Sequence, residues 1–490
     1  MSGGECSGSG RVEALGAGER LIVARLAGEL AIKARRTRGE FRRRLVGNVK
    51  DALSAAGVRF SLRREPARLI VRADRDSALP TLGRVFGLGS ISPVDAVCEG
   101  RIEPIVASGA RIFADRVAGR RFAVRARTPG AGPSSREIEV RLGAELGRRA
   151  PVDLTDPEIT VRVEVFDGTA RLFSERRPGA GGLPLGSAGR GVALLSGGFD
   201  SPVAAWMMMR RGLALDFVFG SLAGPEHDRA VLGLAKLLAD AWAHGDRPRI
   251  HVLPLAPLVE AIRRRTDDGL QQVLLKRLLY RAAERIARTR GASAIITGES
   301  LGQVSSQTLD NLAAIESGAA LPVLRPLLGL DKMEIIERSR AIGTHDLSAK
   351  LPETCDLNPR RPAIAAAASE IDAAVERLGR AALDGLVVGA RVVDLRRTAL
   401  GALGRSAPTI DRVPDGALVV DLRSPAAFAR GHLPGAIPGD ADAIAADPAA
   451  LPPGRTLVLV CEVGARSAAL AERLRELGID AWALRATTAR

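Results

Sequence analysis

The chain has 490 residues, which at about 100 to 200 residues per domain implies roughly three or four folded units and excludes a lone binding module. Apolar residues make up 46% and charged residues 26%, the balance of a globular protein and not of a disordered or collagen-like one. Lys+Arg number 71 against 56 Asp+Glu, a formal charge of +15, which points first to a polyanionic partner.

The charge is unevenly placed. Residues 1–150 hold 29 Lys/Arg and 16 Asp/Glu, a net +13, whereas residues 401–490 hold ten of each. An arginine-rich coding bias would not create that asymmetry, so the N-terminal third is the expected nucleic-acid face. No apolar run approaches the ~18 residues a membrane span requires, and the polar opening lacks the apolar stretch of a signal peptide. No membrane attachment is expected, and a cytoplasmic location is. The four cysteines, Cys6, Cys98, Cys355 and Cys461, include no CxxC pair, which disfavours zinc and iron-sulfur sites. The five histidines are scattered, so no metal held by protein ligands alone is expected.

In chain order, residues 20–33 read as a strand. Lys33, Arg35, Arg36, Arg38, Arg42, Arg43 and Arg44 then set seven cations against Glu40. Phe41, Leu45, Val49 and Leu53 recur every four residues, so these cations flank the buried stripe of an amphipathic helix. With so few interleaved acids, phosphate contact is favoured over a merely solvated face. Segments 67–73 and 91–98 read as strands around a helix holding Leu82 and Val85. A second basic stretch runs through Arg111, Arg116, Arg120, Arg121, Arg125 and Arg127, flanked by alternating segments at 122–125 and 159–165. Aromatic residues are only 3% of the chain. RNA binding should therefore rest on phosphates and helix shape, not on stacked bases.

Residues 177–189 form a Gly/Pro-rich connector. Beyond it, strands at 192–195, 215–220, 250–255 and 292–297 alternate with helices at 202–211, 229–243 and 269–290, the pattern of a doubly wound parallel sheet. A linker-like zone at 384–413 precedes a small α/β unit with strands 417–422 and 456–460 and helix 466–477.

Ser196-Gly-Gly-Phe-Asp-Ser201 lies between the strand ending at Leu195 and a helix. Gly197 and Gly198 let the backbone approach an oxyanion, Ser196 and Ser201 supply hydroxyls, and the helix N-terminus adds free N–H groups. Asp200 can hold the magnesium that phosphates carry. The lysine of a Walker A loop is absent. At the other end of the chain, Cys461-Glu-Val-Gly-Ala-Arg-Ser467 follows an apolar strand and leads into a helix, a setting that stabilises a thiolate or persulfide.

The SGGxDS segment resembles the PP-loop of ATP pyrophosphatases, which cleave ATP between the α- and β-phosphates to adenylate a carbonyl oxygen. Thr297-Gly-Glu-Ser-Leu-Gly-Gln-Val-Ser-Ser-Gln-Thr-Leu309 and Arg325-Pro-Leu-Leu-Gly-Leu-Asp-Lys332 narrow the resemblance to the tRNA 4-thiouridine synthetase (sulfurtransferase) family. Its N-terminal region is similar at Gly28-Glu-Leu-Ala-Ile-Lys33 and Val85-Phe-Gly-Leu-Gly-Ser-Ile-Ser-Pro93. The C-terminal CxxGxR[ST] loop, with Asp421-Leu-Arg423 and Gly431-His-Leu-Pro-Gly-Ala436, resembles a rhodanese domain.

The resemblance implies a multidomain α+β and α/β chain: a ferredoxin-like domain at 1–68, a THUMP RNA-binding domain at 69–175, a PP-loop adenylation domain at 176–400 and a rhodanese domain at 401–490. The family's ATP contacts fall on Leu194, Leu195, Lys276, Gly298 and Gln307, and its adenylation positions on Asp200 and Lys332. Lys33, Arg35, Arg36, Arg42, Arg43, Arg120 and Arg121 become the candidate tRNA contacts. The implied reaction is ATP-dependent formation of 4-thiouridine at uridine 8, with magnesium carried by ATP and persulfide sulfur on Cys461. Cys355, in Leu351-Pro-Glu-Thr-Cys-Asp356, takes the family's position for a disulfide with Cys461 on sulfur release. A cysteine desulfurase as sulfur donor, a thiamine-pathway sulfur-carrier protein and a homodimer partner are implied on the same footing.

The segment 218–227 departs from the aromatic and histidine-containing pattern common in the family, which leaves the nucleotide or base contacts there open. The alternatives are a sulfur relay dedicated to thiamine thiazole synthesis and a non-catalytic tRNA-binding protein. An iron-sulfur tRNA 2-thiolase is weaker for want of CxxC.

Overall fold

The computed structural model describes residues 18–484 except 131, 223–224, 352–356, 358–360, 400–407, 449–450, 453, 462–466, 468–469, 472–473 and 476. Among the described residues the strands form four sheets, distributed over two compact units. The first unit comprises residues up to Arg190 with Trp206–Leu215 and Leu238–Arg247, and the second comprises the rest.

In the first unit, β1 (Arg20–Leu26), β2 (Phe60–Glu65), β3 (Arg68–Ala73) and β4 (Leu88–Pro93) form an antiparallel sheet in the order β2-β3-β1-β4. The strand expected over 20–33 stops at Leu26. The pairing with β4 breaks register at Arg25/Leu26, and a short helix, Gly28–Ala31, follows. Helix Arg35–Ala55 then buries Leu45, Val49 and Leu53, the stripe its four-residue spacing requires.

The strand expected over 91–98 is two strands. Pro93 ends β4 without a backbone N–H to extend the ladder, and β5 (Ala96–Glu99) belongs to a second sheet, β5-β8-β7-β6, with β6 (Phe122–Arg127), β7 (Ile159–Phe166) and β8 (Thr169–Phe173). The division between the two N-terminal folds therefore falls at Val94–Asp95 and not at residue 68, because β3 and β4 complete the first sheet's hydrogen bonding. A two-residue strand, β9 (Arg177–Pro178), returns to the edge of the first sheet beside β4. Phe86, Trp206 and Trp242 form an aromatic cluster within this unit, with ring centroids 5.4–5.9 Å apart, so two of the chain's three tryptophans serve packing.

In the second unit, β10 (Arg190–Leu194), β11 (Ala214–Ser221), β12 (Arg249–Pro254), β13 (Ile295–Ile296), β14 (Val323–Leu324) and β15 (Arg391–Asp394) lie in the order β14-β13-β10-β11-β12-β15. The pairings β10–β13, β11–β12 and β13–β14 are parallel, and β15 is an antiparallel edge. The zone 384–413, expected to be a linker, thus supplies that edge strand, preceded by helix Arg380–Val388. From β10 the chain winds outward through β11 and β12, then returns to the other side of β10 as β13. The crevice at such a reversal is where doubly wound sheets bind ligands.

The remaining sheet, β16 (Thr409–Ile410), β17 (Leu418–Asp421), β18 (Ile437–Pro438), β19 (Leu457–Val460) and β20 (Ala481–Leu484), has the order β16-β20-β19-β17-β18 with parallel pairings throughout. Its core holds Val420, Leu457, Leu459 and Leu474.

Candidate active site

The SGGFDS loop connects β10 to helix Asp200–Arg210. It is folded on itself: the Ser196 N–H donates to Ser201 Oγ at 2.8 Å, and the two hydroxyls lie 2.9 Å apart. Gly298, following β13 across the sheet reversal, packs directly on the loop. A Cβ there would lie 2.6 Å from Ser201 N and 2.7 Å from its Cα, so only glycine lets the two segments meet.

Between them lies a cavity of about 240 Å³. Of the residues expected to hold a nucleotide, Leu194, Leu195, Ser196, Asp200, Ser201, Lys276, Gly298 and Gln307 line it, whereas Gly197 and Gly198 do not. Gly197 is buried, and a Cβ on it would come 2.8 Å from Leu351 and 3.2 Å from His227 Nε2, so its lack of a side chain serves close packing beside the loop.

Lys332 donates to both oxygens of Asp200, at 2.9 and 3.1 Å, and Gln303 Nε2 donates to Oδ2 at 3.0 Å. Lys332 is held at the first position of helix Lys332–Ile342, where Asp331 and Glu334 form a reciprocal capping box, the D-x-x-E arrangement that fixes a helix start. The cation also lies 5.7 Å from the Phe199 ring centroid.

A second lysine–carboxylate pair, Lys276 and Glu299, also lines the cavity. Lys276 donates to Glu299 Oε1 at 3.3 Å. Glu299 Oε2 accepts from Arg325 Nε at 2.8 Å, from Thr297 Oγ1 at 3.1 Å and from the Tyr280 hydroxyl. Burial acts to raise the Glu299 pKa, but Lys276, Tyr280 and Arg325 together hold it below the usual carboxylate value. Burial, and then the charge of Glu299, push the Tyr280 phenol far up, so it remains a donor. Glu299, Tyr280, Arg325 and Gln303 were not singled out from sequence. Tyr280 is the chain's one tyrosine, and the others lie inside the two recognised blocks, which are the signals that could have found them.

Cys461 directly follows β19, is buried and, among the described residues, is bonded to no other cysteine. Its Sγ accepts from the Ser467 N–H at 3.3 Å and lies 3.3 Å from Ser467 Oγ, so the described part of its surroundings offers donors to a sulfur anion. Residues 462–466 of the loop lie outside the described residues, as does Cys355, so its pairing with Cys461 has no geometry here. Asp421, buried at the end of β17, holds Arg423 at 2.6–3.0 Å, and Arg423 bonds the Gly431 carbonyl at 2.7 Å. Phe428 and His432 stack at 4.0 Å.

The candidate RNA contacts divide. Arg35 and Arg43 are exposed and Lys33 is half-buried. Arg42 donates to the Glu65 carbonyl at 2.7 Å, and Arg36 lies 3.4 Å from Glu40. Arg121 is held by Asp153, Asp156 and Glu158 at 3.1–3.8 Å, and Arg120 also faces Glu158 at 3.8 Å. Arg120 and Arg121 are thus paired with acids from a later segment while both side chains stay about half exposed. Among the described residues no helix is long and apolar enough to cross a membrane.

Four family models match the chain in succession: the ThiI ferredoxin-like domain over 21–92, the THUMP domain over 103–175, the thiamine biosynthesis protein (ThiI) over 186–379 and the rhodanese-like domain over 409–485. The tRNA sulfurtransferase of Pyrobaculum aerophilum is 40% identical across 95% of this chain and 97% of that protein. That of Escherichia coli O139:H28 is 35% identical across 77% and 80%. A solved structure of a 4-thiouridine synthetase in complex with RNA and bound ATP superposes with a TM-score of 0.68 at 29% identity, covering 76% of this chain and 99% of that one.

Proposed function

The chain belongs to the tRNA sulfurtransferase family, and from that premise we propose that it uses ATP to convert a uridine of tRNA, at position 8, to 4-thiouridine. The observation that carries this reading is the cavity at the sheet reversal, where eight of the expected nucleotide residues converge beside the Asp200–Lys332 pair.

In this reading the ATP chain lies over the SGGFDS loop, with Lys276 and Lys332 supplying positive charge to the phosphates. Magnesium would be carried by the triphosphate and would offset its charge. Asp200 is the loop carboxylate available to it once Lys332 turns to phosphate, and hard oxygen ligands of that kind suit the ion. Attack of the uridine C4 oxygen on the α-phosphate releases pyrophosphate and converts a poor leaving group into AMP.

The terminal sulfur of a Cys461 persulfide, loaded by a cysteine desulfurase, then bonds to C4 as AMP departs. The Cys355 thiolate attacks Cys461 Sγ, the sulfur–sulfur bond to the base breaks, and the electron pair leaves with the base sulfur as C4=S. Cys355 and Cys461 are left as a disulfide, which a dithiol reductant must reopen. A second reading, delivery of Cys461 sulfur to a thiamine-pathway carrier protein, is favoured by the thiamine biosynthesis model over 186–379 and the separate rhodanese-like match.

The test is thiolation of unmodified tRNA with ATP, magnesium, a desulfurase and reductant. Wild type should form 4-thiouridine, and Cys461→Ser and Cys355→Ser should not turn over. Full activity in Cys461→Ser would refute the relay. Removal of residues 1–175 separates the two readings, since tRNA thiolation should vanish while carrier sulfuration would persist.

A further inference from the structure

A groove of about 1040 Å³ lies wholly within the first unit, along helix Arg35–Ala55 and closed by the turn Gly245–Arg247. Its charged lining is Glu40, Arg43, Arg44, Asp51, Asp246 and Arg247. By formal count these cancel, but their partners do not. Asp246 is paired with Arg190 at 2.6 Å, Asp51 accepts the Gly245 N–H at 2.8 Å, and Glu40 faces Arg36 at 3.4 Å. Arg43, Arg44 and Arg247 are exposed and, among the described residues, have no acidic partner. Glu40 and Asp246 are neutralised by Arg36 and Arg190, which lie outside the lining, so the three arginines outweigh Asp51 and the groove carries net positive charge.

Two glycines border that arrangement, and Gly245 sets it. Gly186 has φ +79°, and a Cβ on it would lie 2.6 Å from Arg44 Nη1, so its absence leaves the guanidinium its place. Gly245, at φ +86°, packs so closely on the helix that a Cβ would meet Asn48 Oδ1 at 2.0 Å. The turn carrying Arg247 is thereby set against the helix carrying Arg43 and Arg44, although some 200 residues of chain separate them.

We propose that this groove seats the phosphate backbone of the RNA substrate, with Arg43, Arg44 and Arg247 as its phosphate ligands. The proposal rests on the reading of the chain as a tRNA-modifying enzyme and adds a contact outside the basic N-terminal third. Guanidinium forks match phosphate oxygens, and the groove offers one aromatic side chain, Phe41, so contact is to backbone and not to stacked bases.

The test is binding of unmodified tRNA to the full chain between 50 and 200 mM salt, for wild type, Arg247→Ala, Arg44→Ala and Arg264→Ala. Arg264 is an exposed arginine paired with Glu260 on another helix and serves as the charge-matched control. Arg247→Ala and Arg44→Ala should each raise Kd about fivefold and reduce the slope of log K against log salt by about 0.9, the loss of one phosphate contact. Arg264→Ala should change neither. Slopes and affinities equal to wild type in both groove variants overturn the groove while leaving the tRNA reading intact. No binding by wild type overturns both.

Discussion

Two carboxylates, Asp200 and Glu299, line one cavity and each holds a lysine, and the pairs are built for different tasks. Lys332 and Asp200 keep 36% and 20% of their side-chain surface, and the carboxylate's other partner is the Gln303 amide. Glu299 keeps 7%, and one of its oxygens is occupied by Arg325, Thr297 and Tyr280, which leaves the other to Lys276. An ion pair near solvent exchanges partners at little cost, whereas a buried pair that loses a member leaves an uncompensated charge. The difference teaches a division within the site: Asp200–Lys332 can re-pair with phosphate during reaction, while Glu299 fixes the wall on which Lys276 stands.

The largest effect should come from Glu299→Ala. It leaves Arg325 with Glu316 as its remaining acidic partner and removes the partner of Lys276, a loss of about 3 kcal/mol, the low end of the cost of breaking buried pairs. Thermal unfolding of the full chain measures it. Glu299→Gln retains volume and one acceptor and should lose less. The pair also differ from wild type in acid. Because the Glu299 pKa is depressed by folding, its stabilisation is fully present above the ordinary glutamate value and is withdrawn as pH falls through the lowered one. Wild type should therefore lose stability below the ordinary glutamate range more steeply than Glu299→Gln. Parallel acid profiles would mean that the carboxylate's charge is not what holds the wall.

Asp200→Ala should reverse that pattern. Thiolation should fall about a hundredfold or more, the scale for removing a group that organises transition-state charge, while the unfolding temperature stays close to wild type because the pair is partly solvated. If Asp200→Ala unfolds as readily as Glu299→Ala, the two pairs are both structural and the division fails.

The half of this contrast that was legible in the sequence is the Asp200 side. A strand, two glycines, a carboxylate and a helix are contiguous, so local rules place them, and Cys461 at the end of an apolar strand was readable for the same reason. The Glu299 side was not. Tyr280, Glu299 and Arg325 stand 19 and 26 positions apart on three separate segments, and no periodicity announces that they converge on one oxygen. The same limit applies elsewhere. The pairing of Arg121 could not be read from its surroundings because its acids, Asp153 to Glu158, arrive 32 to 37 positions later. The boundary at residue 68 ignored two strands whose partners lie before it. The groove arginines needed a turn from residue 245 onward to become a set.

The smallest effect, and the one that probes the contrast most finely, is expected from Tyr280→Phe. The ring stays in place and only the hydroxyl is lost, so packing is conserved. Glu299 Oε2 keeps Arg325 at 2.8 Å and Thr297 at 3.1 Å, and the carboxylate is left with fewer donors, not with none. The cost should be about 1.5 kcal/mol, the low end for a hydrogen bond to a charged group, or roughly 3–6 °C in a domain of this size. Because the phenol is driven upward in pKa by burial and by the Glu299 charge, it is a fixed donor and has no proton to exchange in the reaction. Thiolation at saturating ATP should stay within about threefold of wild type, the scale of about 0.7 kcal/mol in a barrier. A fall as large as that of Asp200→Ala, with stability unchanged, would put Tyr280 in the chemistry and move the Glu299 wall to the reacting side of the cavity.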